Sequence, residues 1–393
     1  LPHVTDVDAA MQTDAPILHE NMFTAGMESR PDKASNVAGY YEVLLGDVEK
    51  GFGEADIVVE REFTTATVHQ GYIEPHASTA YWAADGRVTC WTSTQGPFGI
   101  RAQTAVTLGI PESMLKVVPM EIGGGFGGKL SSYLDPVCAL LSKKSGYPVK
   151  IVMTRQEVFE ASGPAASTYM RAKVGADISG RITAAELYLA FGAGAFPGSP
   201  VGAAANTALA PYNIENLLVD GYDVVCNRPK VSAYRAPGSP QGAFAVETVM
   251  DEVAEKLGMD PLVFRLKNAV RQGHRQPSGV AFPLIGCVEL ETAMVEHPHY
   301  AAPLEGPHQG RGVAVGYWGN AGNQSSVTIN VNADGTISLV SGSVDIGGTR
   351  VAVAMQAAEV LGIAAEDVRP SVADTDSVGW TGNTGGSRTA FST

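Results

Sequence analysis

The sequence contains few cysteines and no cluster of them. Its four cysteines, Cys90, Cys138, Cys226 and Cys287, lie far apart, and no two of them form a C-x-x-C pair. Zinc and iron–sulfur sites built from cysteine need closely spaced thiolates. We therefore expect the chain to carry neither kind of site, and we interpret its cysteines as buried thiols.

Long hydrophobic runs and excess positive charge are also missing. No segment approaches the run of about 20 apolar residues that a membrane-spanning helix needs. The 27 lysines and arginines are outnumbered by 41 aspartates and glutamates, which gives a formal net charge of −14. Because binding to nucleic acid or to an anionic membrane relies on clustered basic side chains, neither is an expected partner. We expect a cytoplasmic protein that acts on a small molecule.

The sequence is rich in apolar residues, which make up 45% of it, and it has 45 glycines. Its 393 residues suffice for about two to three domains or one large α/β unit. From residue 51 onward, short β-branched runs alternate with helical patterns, which predicts an α/β fold of mixed sheets covered by helices. Residues 1–50 have few periodic runs and are predicted to be a linker or extended segment.

The ends of the sequence are unusual. The first residue is leucine rather than methionine, and the last residues follow a glycine-rich run directly. We therefore expect a fragment, a processed chain or one piece of a split polypeptide.

Residues 120–130, "MEIGGGFGGKL", fit both the G-x-G-x-x-G and the G-x-x-x-x-G-K patterns. Leu130 stands where a mononucleotide P-loop has the Ser or Thr that ligates Mg²⁺. Pro119 interrupts the strand that a dinucleotide fold requires, and Glu157 comes late for the acid that binds the ribose. Neither nucleotide is therefore favoured. Two interpretations stay open: glycines that serve only tight packing, and a loop whose N–H groups approach an anionic or oxo-bearing ligand.

Two segments, at residues 83–128 and 332–389, share one pattern. Each has an A-D-G turn, a strand, a glycine loop, a helix that ends in L-G-I, a second strand and a glycine-rich loop. Such self-similarity predicts a repeated architecture. If the two segments are equivalent, each contributes one loop before its helix and one after its second strand, and these four loops could converge on one site.

Four motifs carry a resemblance to a known family: "STQGPFGIRAQTAVTLGI", "GGGFGGK", "AYRAPGSPQGAFAVETVMDEVAEKLGMDPLVFRLKN" and "DTDSVGWTGNTGGSRT". In this order and near this spacing, the sequence resembles the molybdenum-binding large subunit of the xanthine dehydrogenase/aldehyde oxidase family, from about residue 46 onward. The resemblance implies a molybdopterin-binding domain of that type over residues 51–305, followed by the start of a second, truncated domain over residues 306–393.

The resemblance also implies a function. Members of the family are molybdenum hydroxylases, and we expect oxidative hydroxylation of an aldehyde or N-heteroaromatic carbon with water as the oxygen source. The implied cofactors are molybdenum and molybdopterin in its cytosine dinucleotide form, with the metal held by the pterin dithiolene and by no side chain. The implied partners are an Fe–S subunit, an FAD subunit and a second chain that completes the molybdenum domain, in a dimer of such heteromers. The alternative is a non-catalytic structural or assembly subunit whose catalytic base lies on another chain.

Two residues are candidate catalytic residues through the resemblance. Gln95 matches the glutamine whose amide donates a hydrogen bond to a molybdenum oxo group, and Arg235 matches the arginine beside the cofactor. An ordinary loop glutamine and a structural salt bridge are the other interpretations of these two. The remaining cofactor-binding candidates supply mainly backbone and hydroxyl groups, and they are Gly124, Gly125, Phe126, Gly127, Gln241, Thr384, Ser387, Arg388 and Thr389. Of these, Phe126 and Gly127 match a pair that lies at the metal, where a backbone N–H could come close.

The sequence departs from its relatives near the implied substrate position. Ala236 stands where CO-oxidising members have a cysteine. Leu130 and Pro237 replace an acid and an aromatic residue of purine-oxidising members. Because these replacements are apolar, they favour a substrate with few hydrogen-bonding groups.

Two further family features are missing or changed. A glutamine expected to contact the cofactor is replaced by Gly348, which leaves that contact open. The family's general base is a glutamate near the C-terminus, expected beyond Thr393. Glu74 and Glu121 are the carboxylates closest to the motifs, and we interpret both as structural.

Overall fold

The structure is a computed structural model that describes residues 2–320 and 322–393. Within these residues the strands are β1 (Val37–Leu45), β2 (Ile57–Thr65), β3 (Ala77–Trp82), β4 (Val88–Thr92), β5 (Leu115–Pro119), β6 (Val149–Val152), β7 (Thr168–Ala176), β8 (Ile182–Gly194), β9 (Leu217–Val225), β10 (Val327–Val331), β11 (Ile337–Ser341) and β12 (Val368–Val372).

The α-helices of the same residues are α1 (Val7–Met11), α2 (Val48–Gly53), α3 (Pro97–Leu108), α4 (Asp135–Ser145), α5 (Arg155–Ala161), α6 (Val201–Thr207), α7 (Ser239–Leu257), α8 (Pro261–Asn268), α9 (Cys287–Glu296), α10 (Pro298–Ala301), α11 (Thr349–Leu361) and α12 (Thr389–Ser392). Short 3₁₀ helices span Glu112–Met114 and Ala365–Asp367. Among the described residues, no helix is both long enough and apolar enough to cross a membrane.

The chain forms two compact units that are interleaved along the sequence. The first contains the residues up to Val68 together with residues 165–231 and 236–318, and the second contains residues 69–164, 232–235 and 319–393. These units differ from the two predicted domains, residues 51–305 and 306–393. The reason is that the two repeated segments, residues 83–128 and 332–389, belong to the same unit.

The first unit is built on a five-stranded sheet with the strand order β1-β9-β8-β7-β2. Strands β8 and β9 are parallel, and the other neighbours are antiparallel. Helix α7 packs on β2 and β7 and buries Val249, Met250 and Val253 in the core. It begins at Ser239, with Gly238 as the cap, and ends at Leu257, where Gly258 takes the left-handed conformation with a φ of 64°.

The predicted linker over residues 1–50 differs from the structure. Strand β1 pairs with β9 and is therefore part of the first sheet. Helix α1 buries Val7 and Ala10. An edge strand needs few apolar residues, and most residues of β1 are exposed or half-buried, so its sequence carries a weak pattern.

The second unit contains two sheets of one design. The first has the order β5-β4-β3-β6 and the second the order β10-β11-β12. In both, an antiparallel hairpin is followed by a helix and a parallel strand. The register agrees as well, since Val88 pairs with Leu115 in one sheet and Ile337 with Val368 in the other, and all four are buried. The predicted internal repeat is confirmed.

Candidate cofactor site

The side-chain amide of Gln95 lies at the centre of the second unit's loops. Gln95 follows β4 and is 2% exposed. Its Oε1 accepts hydrogen bonds from the N–H groups of Gly127 at 2.9 Å and Lys129 at 3.3 Å. Its Nε2 donates to the carbonyl oxygen of Thr384 at 2.9 Å. These partners define which end of the amide is oxygen and which is nitrogen.

Four loops meet at Gln95 and Thr384, one after each strand of the parallel pairs β4/β5 and β11/β12. Gln95 follows β4, Gly127 follows β5, Val344 follows β11 and Thr384 follows β12. The N–H of Thr384 donates to the carbonyl oxygen of Gln95 at 2.8 Å. The hydroxyl of Thr384 donates to the carbonyl oxygen of Val344 at 2.6 Å. The carboxyl ends of parallel strands are where such sheets form ligand sites, and the expected convergence of the four loops is confirmed.

The glycine loop requires its glycines for close approach. A Cβ on Gly125 would lie 2.5 Å from Oε1 of Gln95. A Cβ on Gly127 would lie 2.5 Å from the carbonyl oxygen of Ala233, and Gly127 also has a φ of 103°. Only a residue without a side chain fits these positions without displacement.

The backbone donors of the loop divide into two groups. The N–H of Gly127 donates to Gln95 and is not left for a ligand. Gly127 is therefore still predicted to be a cofactor-binding residue, but because its backbone packs closely and not because its N–H is free. The N–H groups of Gly124, Gly125 and Phe126 donate to no described residue. These three successive donors are the ones that could bind an anionic or oxo-bearing group.

Strained backbone is found in the same segments. Among the described residues, the non-glycine residues with positive φ are Phe126, Arg235, Ala236 and Ser387, with values from 33° to 57°. All four fall in the segments that carry the sequence motifs. Such conformations cost about 1 to 3 kcal/mol each and cluster at functional sites.

Arg235 is connected to the glycine loop through its backbone. Its N–H donates to the carbonyl oxygen of Phe126 at 3.0 Å. The side chain is exposed, and it forms no ion pair with a described carboxylate. The interpretation of Arg235 as a structural salt bridge is therefore not supported within the described residues.

Gln241 belongs to the first unit, in contrast to the other candidate residues. It is the third residue of α7 and is half-buried. Its side chain makes no hydrogen bond to a described residue. Its contact with a cofactor stays a prediction.

The loop after β12 contains a buried cation without a carboxylate partner. Arg388 is 0% exposed, and burial lowers the pKa of its guanidinium. Its two terminal nitrogens donate only to neutral acceptors, which are the carbonyl oxygens of Asn323, Gln324, Gly382 and Asn383 and the hydroxyl of Ser325. Its Nε and the hydroxyl of the adjacent Thr389 are buried with no partner among the described residues. This charge suits a nearby anion.

Asp345 and Arg350 form a charged group that the sequence motifs do not indicate. Oδ1 of Asp345 accepts from the N–H groups of Gly347, Gly348 and Thr349. Burial alone would raise the pKa of Asp345, but these N–H groups and the Arg350 guanidinium hold it well below its usual range. The available sequence signal is an aspartate four residues before Thr349, the first residue of α11, from where its carboxylate can accept from the N–H groups that lead into the helix.

Arg350 also explains the position of Glu121. Its two terminal nitrogens donate to the two carboxylate oxygens of Glu121, each at 2.9 Å, and its Nε donates to Asp345 at 2.9 Å. The interpretation of Glu121 as structural agrees with this pair. A Cβ added at the neighbouring Gly348 would meet no heavy atom within 4 Å, so crowding does not explain why glycine replaces the expected glutamine there.

Together, the repeated sheets and their converging glycine loops define an α/β protein with a candidate cofactor site at its loops. A family model described as the molybdopterin cofactor-binding domain matches residues 29–269, and a second model of the same description matches residues 295–393. The chain belongs to this family, and within it to the molybdenum-binding subunits of the xanthine dehydrogenase/aldehyde oxidase type.

Individual relatives agree with this assignment. The chain is 31% identical over 298 residues to the nicotinate dehydrogenase large molybdopterin subunit of Eubacterium barkeri, which covers 75% of this chain and 67% of that protein. It is 30% identical over 397 residues to a putative xanthine dehydrogenase molybdenum-binding subunit of Escherichia coli, which covers 96% of this chain and 51% of that protein.

A solved structure shows the same fold. The aldehyde oxidoreductase from Desulfovibrio gigas superposes with a TM-score of 0.86 at 28% identity, covering 99% of this chain and 43% of that one. The chain thus spans about half the length of the xanthine dehydrogenase subunit and less than half of the aldehyde oxidoreductase.

Proposed function

We propose that this chain binds a molybdenum–molybdopterin cofactor at the loops around Gln95 and serves an enzyme that hydroxylates an aldehyde or N-heteroaromatic carbon with oxygen from water. The convergence of four loops on Gln95 and Thr384, in a member of a molybdopterin-binding family, carries the proposal. When bound, the cofactor supplies the two-electron redox chemistry. The chain's own residues bind, orient and shield it.

The residues present fit such a group. Nε2 of Gln95 has two hydrogens, and the carbonyl oxygen of Thr384 takes one of them. No described residue accepts the other, so it is available to a polar ligand atom. A neutral amide donor held in this way stabilises negative charge without moving. The free N–H groups of Gly124, Gly125 and Phe126 add donors from the neighbouring loop.

The loop after β12 suits the phosphate-bearing part of the cofactor. Arg388 keeps a buried charge that no described carboxylate neutralises, and Ser387 holds a left-handed φ of 54°. We assign Thr384, Ser387, Arg388 and Thr389 to the dinucleotide, in its cytosine form. Because Arg388 is fully buried, we assign it to the electrostatics of this loop, while Ser387 offers an exposed hydroxyl.

The sequence near the implied substrate position supports a substrate with few polar groups, and the first unit by itself also contains a cavity. It has a volume of about 270 Å³ and is lined by Ala236, Ala243 and Trp318, among others. Ser239 and Thr207 also line it, and their hydroxyls are hydrogen-bonded to each other at 2.5 Å. The apolar Leu130 and Pro237 favour a flat or apolar substrate with few hydrogen-bonding groups.

The same proposal includes partners. The four cysteines of the chain are dispersed, and three of them are buried, so we assign the onward transfer of electrons to Fe–S and FAD groups on other subunits. We also propose that a region of a second chain supplies the catalytic base and that the complex is a dimer of heteromers. We further propose that the protein is located in the cytoplasm and that the boundary between its two family domains lies near residue 305.

Metal and pterin analysis tests the proposal. The chain is produced with Fe–S and FAD subunits in cells that synthesise the cofactor, and the purified complex is analysed for molybdenum and for the nucleotide released by acid. We expect stoichiometric molybdenum and CMP, and a strong loss of both in Gln95→Leu. A folded, native complex without molybdenum would contradict the enzyme and support the structural or assembly subunit. Thermal stabilisation by ATP or NAD would instead indicate a nucleotide-binding protein.

A further inference from the structure

A half-buried ion pair joins the two ends of the glycine loop. The side chain of Lys129 is fully buried, and its Nζ lies 2.7 Å from Oε2 of Glu74. Nζ also donates to the hydroxyl of Ser93 at 3.0 Å and lies 4.9 Å from the centroid of the Tyr72 ring. The ammonium group therefore has a carboxylate, a hydroxyl and an aromatic face as its three neighbours.

Glu74 connects both ends of the loop. Its Oε2 accepts from the N–H of Gly123 at 2.6 Å, from the hydroxyl of Ser93 at 2.7 Å and from Lys129. Its own N–H donates to the carbonyl oxygen of Gly123 at 3.2 Å. The first residue of the loop, Gly123, and the last, Lys129, are thus held by one carboxylate.

Lys129 connects this carboxylate to the Gln95 amide. The carbonyl oxygen of Lys129 accepts from the N–H of Gln95 at 3.0 Å and from the hydroxyl of Thr94 at 3.2 Å. The N–H of Lys129 donates to Oε1 of Gln95 at 3.3 Å. A shift of Lys129 would therefore move both the backbone and the side chain of Gln95.

Stability alone does not account for this pair. The Lys129 ammonium loses its hydration, and the Glu74 side chain is 32% exposed and therefore partly screened by water. Both effects offset the attraction, so the pair contributes little net stability. Five of the six residues from Gly123 to Gly128 are glycines, and glycine loses more conformational freedom on folding than any other residue. A loop of this kind needs fixed ends to keep one geometry.

We propose that Glu74 and Lys129 are positioning residues that clamp the glycine loop and so set the direction of the Gln95 amide toward the cofactor. The inference rests on the proposed function for the identity of the cofactor. The clamp itself is a property of the protein without any ligand, and it can be measured there.

The test uses Lys129→Met in the full chain within its complex, with Lys116→Met as the matched control. Lys116 pairs with Asp374 at 3.0 Å in the same unit and does not contact the loop. Amide hydrogen exchange is measured over residues 120–130 in protein freed of cofactor, and pterin retention is measured after gel filtration of loaded protein. We expect Lys129→Met to speed exchange about tenfold, the effect of losing a buried hydrogen-bonded partner, and to release the pterin. Lys116→Met should change neither quantity.

A second variant distinguishes the loss of the clamp from a general folding defect. Glu74→Gln keeps an oxygen for Gly123 but removes the charge, and we expect a smaller change in the same direction. Exchange over residues 120–130 that matches Lys116→Met in both variants would overturn the clamp, as would faster exchange with unchanged pterin retention. If wild-type protein never takes up the pterin, the proposed function fails, while the exchange measurement still decides whether the clamp exists.

Discussion

The N–H of Gly127 donates to Oε1 of Gln95 at 2.9 Å, although the two residues are 32 positions apart in the chain. This hydrogen bond joins the loop after β4 to the loop after β5 in one repeat. It also turns Nε2 of Gln95 toward Thr384, in the other repeat. The geometry of the candidate site therefore depends on one side-chain amide whose oxygen and nitrogen ends have separate partners.

Gly125→Ala should displace this amide. The added Cβ would lie 2.5 Å from Oε1 and 2.9 Å from Cδ of Gln95, and the side chain is too buried to move aside freely. We expect a loss of stability of about 1 to 3 kcal/mol, typical of overpacking, and a strong loss of bound molybdenum. Chemical unfolding and metal analysis measure the two effects.

Gly99→Ala is the matched control for this substitution. Gly99 lies in α3 of the same unit, and a Cβ there would meet only Nε2 of Gln103, at 3.8 Å. We expect it to stabilise the helix by about 0.5 to 1 kcal/mol and to leave the metal content unchanged. Equal effects of the two alanines would show that the approach of Gly125 to Gln95 is not important.

The repeated design of the second unit was predictable because its signals are local. The A-D-G turns and the L-G-I helix ends recur with the same spacing, and Gly109 and Gly362 both take the left-handed conformation that ends a helix. The positions of Gln95, Gly127 and Thr384 follow from this repeat together with the family motifs.

The contacts that support the site were not predictable in the same way. Glu74 and Lys129 are 55 residues apart, and Glu121 and Arg350 are 229 residues apart. Such pairs form only when the sheets are in place, so no local pattern indicates them. The interleaving of the two units has the same cause, because it depends on which distant segments share a core.

His76 predicts a loss of stability in acid. Its imidazole is 5% exposed, and burial, together with the Lys129 ammonium, lowers its pKa from 6.5 to about 4. Between these values the unfolded chain binds a proton and the folded chain does not. The stability that the neutral imidazole contributes is therefore complete above pH 6.5 and decreases as the pH falls, by about 2 kcal/mol at pH 5.

His76→Gln provides the comparison for this prediction. The amide can still bond to the hydroxyl of Tyr72, which lies 2.7 Å from Nε2 of His76, but it does not titrate. Urea unfolding at pH 7 and pH 5 should show a smaller decrease in the variant than in the wild type. An unchanged decrease would mean that other groups cause the acid sensitivity.

Arg265→Met should strongly destabilise the first unit. Arg265 is 0% exposed, and its Nε lies 2.8 Å from Oε2 of Glu247, which is itself buried. Removing the guanidinium leaves a buried carboxylate without its cation, at a cost of about 3 to 5 kcal/mol. The double variant Arg265→Met/Glu247→Gln should recover part of this loss.

The other partner of Arg265 supplies the control. Asp251 lies 2.7 Å from Nη1 but is half-exposed, so Asp251→Asn should cost less than about 1 kcal/mol. Urea unfolding of the wild type, Arg265→Met, Glu247→Gln and the double variant measures the coupling between Arg265 and Glu247, and Asp251→Asn is measured beside them. A double variant no more stable than Arg265→Met would show that the unpaired carboxylate is not the source of the loss.

Glu291→Gln should stabilise the protein at neutral pH. Glu291 is 2% exposed, and its Oε2 has no partner among the described residues. Burial raises the pKa of its carboxyl above the ordinary value of 4.5, although the Cys287 thiol and the Arg265 guanidinium oppose the change. The folded state therefore holds this proton more tightly than the unfolded state does. The stability that this bound proton contributes is fully present below about pH 4.5, and it is lost as the pH rises through the pKa that Glu291 has in the folded protein.

Glutamine mimics the protonated acid at every pH, so the variant should equal the wild type near pH 4.5 and exceed it at pH 7, by about 1 kcal/mol for one buried polar group. Glu289→Gln, on the exposed side of the same helix α9, should stay within about 0.5 kcal/mol of the wild type. Urea unfolding across this pH range measures both variants. A difference between Glu291→Gln and wild type that does not grow with pH would mean that the pKa of Glu291 is not raised in the folded protein.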